Sequence, residues 1–316
     1  MDEIAPLPTD SRMTALPVGR PNLWQYYSDA VNSFWTVHEV SVVQDPADYR
    51  KLSPQMQHCV KRILAFFAAS DNIVNVNIME RFLNDVKIYE AQRFYNMQVA
   101  MEDIHAHMYS ILLDAIVPDV EEKNSLYNAM NTIPVIGKMT AYMYEIIHSD
   151  CTFSERVLKM ACVEGIFFTS CFCIIYWIQM QQLMPGLGQS NELIARDEML
   201  HATFALELYM LTERLPTDKV HQIFDDAVAI AIEFARDAIQ DGIPEMNINL
   251  MIPYIQCCAD NMITMIDQPP LYNTTHEFSF MEKINLEGRT NFFERRVSEY
   301  GKTQDASARG AVDEDF

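Results

Sequence analysis

Residues 101–110 read MEDIHAHMYS and residues 196–201 read RDEMLH, so the chain contains Glu-x-x-His twice, at Glu102/His105 and at Glu198/His201. On an α-helix each residue turns the chain by about 100°, which makes positions three apart neighbours on one face. Tyr109, four residues after His105, falls on that same face. One such motif arises easily by chance on a surface helix. Two of them, each inside an apolar helical stretch, call for a common explanation.

The surroundings are helical by punctuation and by period. Neither Gly nor Pro interrupts 55–117, 189–215 or 217–241, and 135–184 holds only Gly137 and Gly165; both residue types are costly inside helices. Breaks are expected at Pro118, Pro134, the MPGLG turn at 184–188, Pro216, and Gly242 with Pro244. Apolar residues recur at helical rather than alternating spacing, as in Ile63, Phe66, Phe67, Ile73 and Val74. The fold class is therefore all-α.

Two more acids stand isolated in apolar stretches, Asp71 in LAFFAASDNIVN and Glu164 in ACVEGIFFTSCFCIIYWIQM at 161–180. The latter stretch is long enough to cross a bilayer. Its carboxylate would be costly against lipid, and no second span accompanies it, so it reads as a helix enclosed by other helices. Four helices packed side by side bring Asp71, Glu102, His105, Glu164, Glu198 and His201 to one centre. That is the ferritin-like arrangement, in which two helices each give an acid and two each give a Glu-x-x-His.

Charge favours a metal pair over four separately buried acids. Each unpaired carboxylate in a dry core costs several kcal/mol, and four would exceed the ~5–15 kcal/mol net stability of a domain. Two divalent cations cancel four carboxylates, and two trivalent cations with one bridging oxide do so as well. Oxygen and imidazole ligands suit iron or manganese better than zinc or copper. A phenol beside such a pair can lose one electron, and the resulting radical lasts only in a dry pocket. Phe168 and Phe172, four and eight residues beyond Glu164, and Ile194, four before Glu198, are candidates to line it. Asp197 is a candidate acceptor for the second ring nitrogen of a metal-bound histidine.

Composition narrows the partners. A formal charge of −21 over 316 residues argues against nucleic acid, whose phosphates need clustered Lys and Arg. Seven cysteines, an odd number without paired CxxC motifs, read as buried thiols in a reducing compartment. The opening MDEIAPLPTDSRM has neither the basic nor the apolar part of a secretory signal, so a soluble cytoplasmic protein without membrane association is expected. Residues 1–22 read as a flexible N-terminal segment, 23–290 as the helical domain and 291–316 as a flexible acidic tail.

Longer stretches carry a family resemblance: SFWTVHEV (33–40), LAFFAASDNIVN (64–75), AMEDIHAHMYS (100–110), VEGIFF (163–168), LMPGLGQSNELIARDEMLH (183–201) and INLEGRTNFFERRVSEY (284–300). The chain resembles the small, radical-generating subunit of class I ribonucleotide reductase, in its eukaryotic and large-DNA-virus branch, over about residues 20–300 and the tail. The resemblance implies an oxo-bridged pair of iron ions in each subunit, held by Asp71, Glu102, His105, Glu164, Glu198 and His201, with manganese as the alternative metal. It places the stable radical on Tyr109 and a relay through His105, Asp197, Trp35 and Tyr300 to a cysteine of a separate large subunit. It also implies a homodimer, and a C-terminus, AVDEDF, that docks in the large subunit. No P-loop or dinucleotide fingerprint is present, which agrees with nucleotides binding to that partner. Val76, His107 and His38 depart from the usual eukaryotic wording, and none of them is an expected ligand. Two other readings of such a bundle are a di-metal oxidase of a lipid-like substrate and a metal-dead assembly subunit. Trp35, Tyr109 and Tyr300 speak against the first and the complete ligand set against the second.

Overall fold

In the computed structural model, residues 12–240, 243 and 245–281 are described, and among them every regular element is helical. In chain order these are α1 (Pro21–Asn32), a 3-10 turn (Val37–Glu39), α2 (Asp45–Tyr49), α3 (Pro54–Asn77), a π turn (Ile78–Phe82), α4 (Leu83–Asp85) and α5 (Tyr89–Ile116). They continue with α6 (Val120–Tyr127), α7 (Ala129–Thr132), α8 (Pro134–His148), α9 (Phe153–Cys162), a second π turn (Val163–Phe167), α10 (Thr169–Met180), α11 (Pro185–Tyr209), α12 (Thr217–Ala238) and α13 (Ile248–Met265). Tyr300 and the 291–316 tail lie outside the described residues. Residues 277–281 belong to a second unit, in which Met281 N–H donates to the Phe278 carbonyl at 3.0 Å.

Prolines open α1, α3, α8 and α11 within their first turn, where the missing N–H has no intrahelical use. Ser53 caps α3 by accepting from Met56 N–H, and Thr152 with Glu155 forms a capping box at α9. The break at 149–152, closed by that box, divides the 135–184 block where neither Gly nor Pro does. The 55–117 block is likewise divided, at Val86–Ile88. Val86 and Ile88 are both buried and extended, so packing rather than propensity ends the helix there.

The core lies where α3 packs on α5, α9 on α11, and α12 on α13. Phe66, Phe67, Phe168 and Phe234 interlock there with ring centroids 5.3–5.8 Å apart. Each is fully buried, contributing about 1.5–3 kcal/mol relative to exposure. Phe153–Met180 runs as one helix through the second π turn and is long and apolar enough to cross a bilayer. Of its most apolar window, however, 89% is enclosed by other helices, as a helix hydrophobic on all sides requires.

Helix α11 begins abruptly. Met184 takes a left-handed conformation (φ 52°), and its own N–H and those after it are received by α2: Asp48 accepts from Met184 at 3.1 Å, and Asp45 from Gly186 at 2.9 Å and Leu187 at 2.7 Å. These carboxylates satisfy orphan donors at the positive end of the helix. A Cβ on Gly186 would lie 2.6 Å from the Ser41 carbonyl oxygen and 2.8 Å from Asp45 Oδ2, so only glycine admits this approach.

Candidate metal centre

Asp71 comes from α3, Glu102 and His105 from α5, Glu164 from the second π turn, and Glu198 and His201 from α11. All six side chains are buried. Their ligand atoms fall into two groups, each within 4.8 Å: Asp71, Glu102 and His105 form one, and Glu102, Glu164, Glu198 and His201 the other. Glu102 is common to both. The six residues read from the sequence thus meet at one place.

Nδ1 of His105 lies 3.0 Å from Glu198 Oε1 and 3.3 Å from Glu102 Oε2; Nδ1 of His201 lies 2.9 Å from Glu102 Oε1 and 3.2 Å from Glu198 Oε2. Both imidazoles therefore aim the same ring atom at the carboxylates. Gln98, one turn before Glu102, donates to Glu164 Oε1 at 2.9 Å, and Ser70 Oγ donates to Asp71 Oδ1 at 2.9 Å. The remaining oxygens, Asp71 Oδ2 and Glu164 Oε2, receive no N–H or O–H among the described residues. Buried carboxylate oxygens without donors, one in each group, fit cations as their missing partners. The residues present fit a pair of oxygen-and-imidazole-ligated metals.

The protonation pattern points the same way. Burial, reinforced by Glu102 and Glu198, pushes the Asp71 carboxyl well up. Burial and the same pair of acids push Glu164 well up. Burial would also raise Glu198, but the two histidines overcome it and hold that group below the usual carboxylate range. For His201, burial alone would favour the neutral ring; Glu102 and Glu198 prevail and hold it up at about 9. His105 is raised in the same contest, by Asp197, Glu102 and Glu198. Among protein groups alone, protons thus neutralise the cluster, and cations entering it must displace them.

The second nitrogen of His105 leads outward. Nε2 lies 3.2 Å from Asp197 Oδ2, and the same oxygen accepts the indole N–H of Trp35 at 2.8 Å. The Trp35 and His105 rings lie nearly parallel, centroids 6.0 Å apart. Arg196 fixes this arrangement by donating to Asp197 Oδ1 at 3.2 Å and to the Ser33 carbonyl at 2.6 Å. A line of hydrogen bonds therefore joins His105 to Trp35.

A match to the family model for the ribonucleotide reductase small chain covers residues 12–279. The chain belongs to this family. A ribonucleoside-diphosphate reductase small chain of Arabidopsis thaliana is 46% identical, the match covering 93% of the present sequence and 86% of the plant protein. The small chain of Vaccinia virus (strain Ankara) is 44% identical over 93% of each. Among solved structures, the ribonucleotide reductase Rnr4 homodimer from Saccharomyces cerevisiae superposes with a TM-score of 0.80 at 26% identity, covering 93% of the present sequence and 92% of the yeast protein. In this small chain the ferritin-like bundle accordingly carries a di-metal carboxylate centre.

Tyr109 is 2% exposed, and its hydroxyl has no hydrogen-bond partner among the described residues. Burial, and then the charge of Asp71, pushes the phenol far up, so it stays neutral. The ring against it is Phe67, centroid to centroid 4.5 Å, and Phe168 and Phe172 pack on Phe67 at 5.3 and 5.6 Å. Ile194 is fully buried on α11, one turn before Glu198. Sequence reasoning treated Phe67 as ordinary core and passed over Gln98, Ser70 and Arg196. The signal for two of them was spacing: Phe67 lies four residues before Asp71, and Gln98 four before Glu102.

Proposed function

We propose that this chain is the small subunit of a ribonucleoside-diphosphate reductase, generating a stable radical on Tyr109 that a large subunit uses to reduce ribonucleotides to deoxyribonucleotides. The single observation that carries this is Tyr109 itself, a buried phenol without a hydrogen-bond partner among the described residues, beside four carboxylates and two imidazoles in a small chain of this family. When bound, the metal pair, read here as two iron ions, supplies one-electron oxidation driven by dioxygen. Asp71, Glu102, His105, Glu164, Glu198 and His201 hold it, with manganese open to the same donors.

Each protein group then has a task. Tyr109 gives up an electron and its phenolic proton. Phe67, Phe168, Phe172 and Ile194 keep water and reductants away. Asp197 accepts from both the His105 imidazole and the Trp35 indole, which supports the inner half of a relay of electron and proton. Tyr300 is the proposed next station and AVDEDF the proposed anchor in the large subunit, with residues 23–290 as the folded body and 291–316 as the tail. Homodimerisation, as in the yeast relative, and a cytoplasmic setting complete the reading.

Spin resonance on iron-loaded, oxygen-treated protein tests it. A persistent tyrosyl signal is expected, which Tyr109→Phe abolishes while metal content is retained. The same long-lived signal in that variant would overturn the assignment. Removing AVDEDF should spare the radical and abolish reductase activity with the large subunit; undiminished activity would refute the tail's role.

A further inference from the structure

Helix α5 carries a second buried tyrosine, Tyr95, as far before Glu102 as Tyr109 lies after it. Seven residues are nearly two turns, about 10.5 Å of rise with only about 20° of drift, so Tyr95, Glu102 and Tyr109 share one stripe of the helix. The two phenols match in more than spacing. Each is 2% exposed, and neither hydroxyl has a hydrogen-bond partner among the described residues. A buried tyrosine normally finds one. Tyr142 shares that lack, so it is the place of Tyr95 on the ligand stripe of α5, together with the lone hydroxyl, that points to chemistry rather than packing.

Their surroundings divide between the two ligand groups. For Tyr109 the foremost charge is Asp71, and for Tyr95 it is Glu164. Between Tyr95 and the centre sits Gln98, one turn on, which donates to Glu164 Oε1. Phe204, Phe82 and Phe94 enclose the Tyr95 ring at centroid distances of 5.2, 5.5 and 6.4 Å. The rings around it are apolar and buried, and they are harder to oxidise than a phenol.

We propose that Tyr95 is a second oxidisable phenol of this centre, on its Glu164 side, which takes the oxidising equivalent when Tyr109 cannot. Tyr95 gives up one electron to the oxidation that the metal pair would supply when bound. The phenolic proton leaves with it, and both end in water formed from dioxygen. The product on the protein is a neutral phenoxyl, and the oxidant is the dioxygen that the proposed function already consumes. The inference rests on that function. No hydrogen-bonded line to Trp35 like that of His105 starts from Tyr95 among the described residues, so its radical decays in place.

The experiment uses full-length Tyr109→Phe, loaded with iron, mixed with dioxygen and freeze-quenched from milliseconds to minutes. A short-lived tyrosyl signal is expected that narrows when the tyrosines are ring-deuterated and is absent from Tyr109→Phe/Tyr95→Phe. In Tyr109→Phe/Tyr95→Trp, which keeps a large ring in the pocket, the signal should become tryptophanyl. The proposal is overturned if Tyr109→Phe gives no tyrosyl signal at any time, or if either double variant gives the same tyrosyl signal as the single one. Absence of a persistent radical in the unsubstituted protein would instead defeat the proposed function, so the two failures are distinguishable.

Discussion

The two Glu-x-x-His motifs are alike in sequence and unlike in setting. Aligned on their ligands, Met101 stands where Asp197 stands, Asp103 opposite Met199, and Tyr109 opposite Ala205. Helix α5 thus supplies the phenol and α11 the acid that receives the other helix's histidine, since Asp197 pairs with His105 rather than with His201 on its own helix. Ligands repeat, but wiring does not. A motif specifies which atoms can meet a metal, and only the packing of α5 against α11 and the Trp35 loop decides where charge can go next.

Removing the outward line should have the largest effect. Trp35→Phe leaves Asp197 holding His105 but takes away the indole, so the Tyr109 radical should form normally while reductase turnover with the large subunit falls below detection. Full turnover in that variant would erase the functional difference between the two histidines. Asp197→Ala strikes the same line at its root. With Nε2 of His105 deprived of its acceptor, metal affinity should drop about 10–100-fold, the usual cost of losing such a partner. An equal loss from Met101→Ala would show that the asymmetry is only apparent.

A pH titration probes what the motifs share. His201 is held protonated up to about 9, and His105, Asp71 and Glu164 are all raised, so entering cations must displace protons. Loading should therefore release protons at pH 7, and apparent affinity should rise steadily between about pH 6 and 9; affinity independent of pH would contradict this assignment of protons. The smallest expected effect concerns the α11 start. Gly186→Ala forces a Cβ against the Ser41 carbonyl and Asp45, and such overpacking costs about 1–3 kcal/mol. Thermal melting should show it, together with weaker metal retention.

Much of this was legible in the amino-acid sequence. Isolated acids in apolar stretches and the repeated spacing pointed to the six side chains that meet at one centre, and Asp197 was visible as the neighbour of one. What escaped notice shares a cause. Phe67 and Gln98 act through tertiary neighbours: each stands one turn before a candidate ligand, but that spacing does not separate a ring that lies against Tyr109 from one that fills the core. The π turn around Glu164 has no punctuation except Gly165, whose Cβ would come within 2.6 Å of Met262 and 3.3 Å of Ala202. Val86–Ile88 interrupts a long helical block because burial there outweighs propensity, which a period count does not register.

The clasp between α2 and the start of α11 has one more consequence. A helix that slips by a single position also rotates by about 100°, and Asp197, Glu198 and His201 share one rigid rod. Two acids on a five-residue helix, far along that rod from the redox chemistry, therefore act as its index pin. Lesions at Asp45 or Asp48 would surface as a disordered cofactor rather than as a local defect, with relay and ligands lost in one step.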